Sequence, residues 1–304
     1  MRTIETSPVA TEPEMSLERP RHRLRRVLFR VGVYGVLLAL SLFILMPASW
    51  MLTAALKPDL EPVYTITPQW FPTQFFHWEN FRRALIGSLP FLHYTLNTTL
   101  IVVLNVLGGL IACSLVAFAF ARLRFRGSTV LFYAVIVTML IPWQALMVPQ
   151  FLMFFKIGWY GTYLPLIVPA FGAAAGSSAF FIFLIRQYMR TIPRDLDDAA
   201  RVDGLNTWQI FWRIVLPLCT PVLTVCAVFT FLWNWNDLLG PLLYVDSERK
   251  FTVALGLATL VTSSGTPWNL TMAANLLSMI PPIVVFFFVQ KKLIGGIASV
   301  GLKG

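Results

Sequence analysis

The sequence predicts an all-α integral membrane protein with six transmembrane helices and cytoplasmic N- and C-termini. Three observations carry that prediction. Of 304 residues, 57% are hydrophobic and only 12% charged, against about 25% charged in soluble domains. Charge-free runs cover 31–56, 84–121, 127–155, 157–185, 214–236 and 251–290, and each exceeds the roughly 20 residues that cross a bilayer as a helix. With six spans and the N-terminus inside, 18 of the 24 Lys and Arg fall on the cytoplasmic side. This positive-inside asymmetry accounts for the net charge of +10 without a nucleic-acid partner.

The elements follow in order. Residues 1–27 read as a cytoplasmic tail. Its first 20 residues are polar and without period, so disordered, and the basic collar RPRHRLRR at 19–26 anchors it to membrane lipid. Residues 28–304 read as one transmembrane domain. The first span, 28–50, is too long an apolar run for a cleaved signal peptide. An outer segment, 51–92, carries PQWFPTQFFHW, aromatics suited to the membrane interface. The second span, 94–120, ends at RLRFR, a tight cytoplasmic turn. The third, 129–150, contains Pro142 and Pro149, which predict a kink or break. In the fourth, 162–186, Gly172 and Gly176 flank Ala173 to Ala175, a small-residue face on which helices approach closely. The fifth and sixth spans are placed at 218–240 and 271–290. The runs 84–121 and 251–290 are each given one span plus an approach, because Gly87 and Pro90 interrupt one and TSSGTPW at 262–268 the other. Cys113, Cys219 and Cys226 lie in apolar runs without metal-ligand spacing and read as packing residues.

The longest polar interruption, 193–217, is PRDLDDAARVDGLNTWQIFWRIVLP. Pro193 and the acids Asp195, Asp197 and Asp198 open a helix, since carboxylates offset the positive end of its dipole. Leu196, Ala199 and Ala200 fall on one face, and the pair of alanines offers a close-fitting surface to a groove in a partner. Gly204 ends this helix at a position needing positive φ, and Asn206 or Thr207 caps a second one bearing Trp208, Phe211, Trp212 and Val215.

Asp198, Ala199 and Ala200, then Gly204, then Ile214, Leu216 and Pro217 stand at the spacing of the EAA coupling loop of ABC importer permeases, with Asp198 where the family usually has Glu. From residue 28 onward the chain resembles the smaller permease of maltose-type carbohydrate importers, through the WND and PLLY residues of 235–244, Trp268, and the C-terminal Gln290, Lys291 and Lys292 with later glycines. The resemblance implies the type I importer permease fold in a bacterial-type cytoplasmic membrane. It implies that Asp197, Asp198, Ala199, Ala200, Arg201, Asp203, Gly204, Leu216 and Pro217 couple to separate ABC ATPase subunits, with 291–304 nearby. It implies a second homologous permease. It also implies an extracellular or periplasmic solute-binding protein, met by the loop that holds Thr262, Ser263, Ser264, Gly265 and Trp268.

A substrate path is read from polar groups at membrane depth. Asn234, Asn236 and Asn275 need partners or a watery cavity, and Trp233 and Trp235 add flat apolar faces, a combination suited to sugars. Asn234 and Asn236 lie about 200° apart around a helix, so only one of them can face a narrow path. No nucleophile–base pair or acid pair stands out. Gly296-IASV-Gly301 resembles a phosphate loop, but Leu302 takes the place of its lysine. The expectation is a non-catalytic subunit that binds no cofactor, with ATP and Mg on the partner ATPase. The alternatives are a secondary transporter or channel, which usually keeps ionisable groups inside its spans, and an importer for a non-sugar solute such as glycerol phosphate.

Overall fold

The computed structural model describes residues 20–301, apart from 60, 62, 64–68, 73–74, 88–89 and 263–266. Among the described residues every regular element is helical. The chain divides into two compact units, 1–50 and 51–304. The first carries most of α1 (Pro20–Ala55), whose Leu28, Phe29, Phe43 and Ile44 are 62–74% exposed, as expected of side chains that meet lipid.

The second unit is built around α3 (Phe91–Arg122). Half of this helix's apolar window is buried, against 11% for α14 (Trp268–Gly301). Small residues explain why others can crowd it: Gly108, Gly109, Cys113, Ser114, Ala117 and Ala121 are all buried. The ring of Phe171 lies on Gly108, where a Cβ would come within 2.6 Å of Phe171 Cδ2. Asn105 donates to Leu166 O at 2.9 Å across the same contact. Before α3 comes the short α2 (Glu79–Ile86).

Six spans were expected, the third kinked or broken at its prolines, and the structure differs from that count. Among the described residues three helices are long and apolar enough to cross a membrane, and five if each bent pair counts as one. The third run is α4 (Ser128–Thr138) and α5 (Trp143–Lys156), bent by 96° at the break before Pro142. Proline removes a backbone donor and clashes with the preceding turn, so the chain breaks at Pro142, one of the two prolines expected to interrupt it, while α5 runs on through Pro149. The fourth run is α6 (Leu164–Phe171) and α7 (Ser178–Thr191). Its Gly172–Gly176 stretch is the gap between them, with Ala173 at φ 51°, and not a helical packing face. Gly172 and Gly176 bracket the gap, and glycine weakens a helix interior through its greater loss of backbone freedom.

The polar interruption forms α8 (Asp195–Val202), α9 (Thr207–Ile210), a π-turn at Phe211–Val215 and α10 (Leu216–Leu218). It joins α11 (Thr220–Trp235) through a 76° bend. Then come α12 (Leu239–Tyr244) and α13 (Val253–Thr262), the latter in what the sequence read as an approach segment. Two apolar clusters form at opposite ends of α3. One gathers Cys113, Phe118, Ile185, Ala200, Phe211 and Val215, and the other Phe91, Tyr94, Trp235, Val253, Leu270 and Ala274.

Candidate functional site

At the Arg122 end of α3, α8 is closed by a complete Schellman motif. Gly204, at φ +82°, donates to Arg201 O, and Leu205 donates to Ala200 O, both at 3.0 Å. A Cβ on Gly204 would meet nothing within 4 Å, so its backbone angle alone requires glycine. Asn206 is the cap of the next helix: it accepts from Gln209 N, and Gln209 Oε1 accepts from Asn206 N, each at 2.9 Å. The π-turn that follows brings Phe211 onto Phe118, centroids 5.1 Å apart.

The nine expected coupling residues do not share one surface. Asp198, Ala199, Arg201, Asp203, Gly204 and Pro217 are exposed and Leu216 is half-buried. Asp197 and Ala200 instead turn into the chain's own core. The expected face of Leu196, Ala199 and Ala200 is therefore split. Ala200 fills a site against this chain's apolar cluster, not a partner's groove, because positions 197 and 200 form the i, i+3 stripe that packs inward. The outward face carries Leu196, 44% exposed, and Val202, 88% exposed, beside an Asp198–Arg201 ion pair at 3.0 Å.

Sequence reasoning overlooked the arginines that hold α8. Arg122 Nε lies 3.4 Å from Asp197 Oδ2, both side chains nearly sealed from solvent, and the Arg122 guanidinium also donates to Ile192 O at 3.0 Å. Arg186 and Arg194 donate to Phe120 O and Ala121 O, each at 3.3 Å, supplying partners to the last carbonyls of α3. The available signal was a run of arginines just beyond a charge-free helix, opposite three aspartates.

At the other end, a cleft of about 360 Å³ is lined by Trp235, Asn236, Asn275 and Ser278 together with the α13 stripe Val253, Ala254, Leu257, Ala258 and Val261. Three of the five expected path residues thus meet here. Asn236 and Asn275 each donate one amide N–H to the carbonyl four residues back, at 2.8 and 2.9 Å. Trp235 is a wall more than a free platform: its indole N–H is held by Ser278 O at 3.1 Å and its ring stacks on Phe231 at 5.5 Å. Asn234 and Trp233 do not line the cleft. Asn234 bonds Thr230 O, and Trp233 stacks on Phe181 at 5.6 Å. The α13 stripe was missed although its apolar residues recur at i, i+4 and i+8. Asp237, within the recognised WND run, accepts from Gly240 N at 3.1 Å and so opens α12.

Beyond the cleft, amides knit the segment after α1 to α2 and α14. Asn80 donates to Ala55 O and Lys57 O at 2.9 Å, and Asn269 to Asp59 Oδ1 at 2.7 Å. That Asn269 bond, and then Arg83 at 2.8 Å, hold the Asp59 carboxyl below its ordinary pKa. Of the expected binding-protein loop, Thr262 ends α13 and Trp268 opens α14, half-buried, whereas Ser263, Ser264 and Gly265 lie outside the described residues.

A family model described as the inner membrane component of binding-protein-dependent transport systems matches residues 105–298. The chain belongs to that family. It is a transport component of a membrane, and the matched range takes in α8, the α13 stripe and the cleft. The arabinooligosaccharides transport system permease protein AraQ of Halalkalibacterium halodurans is 35% identical over 208 residues, 68% of this chain and 73% of the relative. The osmoprotective compounds uptake permease protein GgtD of Synechocystis is 31% identical over 281 residues, 90% of this chain and 92% of the relative. In fold, the component is similar to a chain of a bacterial ABC transporter involved in import of the acidic polysaccharide alginate. The TM-score is 0.73, with 23% identity over 87% of this chain and 96% of that one.

Proposed function

We propose that this chain is the permease subunit of an ATP-driven ABC importer that moves a neutral sugar or sugar-like solute across the cytoplasmic membrane. The observation that carries the reading is the cleft: two asparagines and a serine beside an indole, with no charged residue in its lining. Among the described residues the Oδ1 atoms of Asn236 and Asn275 accept nothing from the protein. Each amide therefore has an acceptor and an N–H left for a hydroxylated ligand. A phosphorylated solute such as glycerol phosphate would need a cation, which this lining does not supply. The start of α13 lies in the lining, but its Val253 and Leu255 N–H groups are already donated to the Thr98 and Thr252 hydroxyls. Among the relatives, the arabinooligosaccharides permease agrees with a neutral solute, whereas the sn-glycerol-3-phosphate permease UgpE of Yersinia pestis and the alginate importer carry anionic ones, so the neutral reading rests on the cleft.

In this reading α8 docks on a separate ATPase through Leu196, Asp198, Ala199 and Val202, and the ATP and Mg belong to that partner. A second, homologous permease completes the path, and the segment between α13 and α14 meets the solute-binding protein outside. Residues 162–186 cross the membrane as a broken span, giving six crossings with both termini on the coupling side. The positive-inside distribution of Lys and Arg supports that orientation.

The test is uptake by vesicles that hold this chain, its ATPase and its second permease, supplied with the cognate binding protein and a sugar panel. ATP-dependent uptake of at least one neutral sugar, with none of its phosphate ester, is expected. Uptake of phosphate esters alone would replace the neutral-sugar reading.

A further inference from the structure

Both ends of α3 are jointed to parts with a proposed task. At one end is α8, held by Arg122 and Asp197, whose side chains are 3% and 8% exposed. Burying two charges is a costly way to fasten a helix to an apolar core, because hydrophobic side chains of similar size would hold it as well or better. The pair has a property that such packing lacks. Its nearest atoms are 3.4 Å apart, and Arg122 Nε and Asp197 Oδ1 make no hydrogen bond. Coulomb attraction falls only as 1/r, whereas a hydrogen bond weakens steeply with angle. Such a joint stays attached while α8 tilts.

At the other end α3 is stitched to the start of α13. Thr98 Oγ1 accepts from Val253 N at 2.9 Å, satisfying one of the donors that a helix start leaves open. Asn97 donates to Arg249 O at 2.9 Å and Phe251 O at 3.0 Å, and His93 Nε2 lies 2.6 Å from Arg249 O. The ring of Tyr94 occupies the place where Gly256 would carry a Cβ. The other face of α13 is a wall of the cleft, opposite Asn275 and Ser278. The 32-residue helix that bears both joints has no interior proline, and from Thr98 to Arg122 it runs about 36 Å without a break. The α4–α5 and α6–α7 runs are broken midway, and the α10–α11 junction bends by 76°.

We propose that α3 is the rod that carries displacement of α8 to the α13 wall of the cleft, with Arg122–Asp197 as its near joint and Asn97 and Thr98 as its far joint. This rests on the transport reading above. Arg122 and Asp197 are positioning residues: they act through α3 and touch no solute.

The experiment uses the full complex with R122M/D197L, which replaces the pair by apolar groups of similar volume. Two quantities are read: solute moved per ATP hydrolysed, and, in a separate preparation bearing Ala258→Cys, the ATP-dependent change in thiol reactivity at the cleft. The expected result is a fall of about fivefold in both, within the range found for residues that couple distant sites. The exchanged pair R122D/D197R should recover part of the ratio, read at equal amounts of assembled complex, since a purely structural role would change that amount and leave the ratio per ATP unmoved. Thr98→Val, which removes only a hydroxyl, should show the same signature at about twofold. Should R122M/D197L fail to assemble, Thr98→Val decides alone. An unchanged ratio together with an unchanged reactivity response would overturn the rod. A reactivity response in the native complex that moves no sugar would reject the sugar reading and leave the rod standing.

Discussion

The two ends of α3 hold their neighbours by different chemistry. At the α8 end aromatic and aliphatic packing surrounds one buried ion pair, Arg122–Asp197: Phe118 lies on Phe211 and Phe211 on Trp212 at 5.0 Å, with Ala200, Val215 and Cys219 covered. At the α13 end, amides do much of the holding, from Asn80 and Asn97 to Asn269, and a cleft stays open between α13 and α14. Close-packed apolar cores resist compression and pass displacement on, whereas amide hydrogen bonds can be exchanged for bonds to water or a hydroxylated ligand at little net cost. A chain that must take in motion at one place and adapt to a solute at another is expected to divide its chemistry in this way.

Enlarging a small residue at each end is the strongest way to break the comparison. Ala200→Phe inserts a ring where no space exists and should destabilise by about 1–3 kcal/mol. Ala258→Phe grows into the cleft and should leave folding intact. The amount of assembled permease in membranes should fall sharply for the first and stay level for the second, while uptake falls in both. Equal assembly of the two would mean that the α8 end is no more tightly packed than the cleft.

Gly204→Ala sharpens the account of the α8 end. Space is available, so only the left-handed backbone angle resists, at about 1–2 kcal/mol. Gly204→Asn should cost less, because Asn tolerates that region. Melting temperatures in detergent check the order Gly above Asn above Ala. The reverse order would remove the Schellman turn as the reason for glycine.

At the cleft, Asn236→Ala and Asn275→Ala should each lower sugar uptake several-fold, as the loss of one hydrogen bond of about 0.5–1.5 kcal/mol implies. Asn234→Ala should leave uptake unchanged, because its side chain does not line the cleft. Unchanged uptake in the first two would move the solute path away from this cleft.

The smallest effect concerns acid. Asp59 has a depressed pKa, so its bonds to Asn269 and Arg83 contribute stability above the unfolded value of about 3.9 and lose it as pH falls through the lower folded value. The Tm of the native chain should therefore approach that of Asp59→Asn between pH 6 and pH 3. The gap at neutral pH should be small, since this carboxylate is 55% exposed. A gap that widens in acid would contradict the assignment.

What the amino-acid order determined by itself was whatever depends on local chemistry. The membrane-length apolar runs, a proline break at Pro142 or Pro149, the glycine turn at Gly204, a helix cap at Asn206 or Thr207 and the 200° separation of Asn234 from Asn236 were all legible, because each follows from one residue's backbone preference or from helix periodicity. The tertiary structure decided matters that depend on which surfaces meet. It turned Ala200 and Asp197 inward, paired Asp197 with Arg122 at 75 positions' remove, opened the fourth apolar run at Gly172, and made α13 a wall of the cleft. A residue's helical position states which face it occupies, but not whether that face meets core, lipid, solute or another subunit. That choice is made by long-range packing, where a ring such as Phe171 finds its glycine across 63 residues of chain.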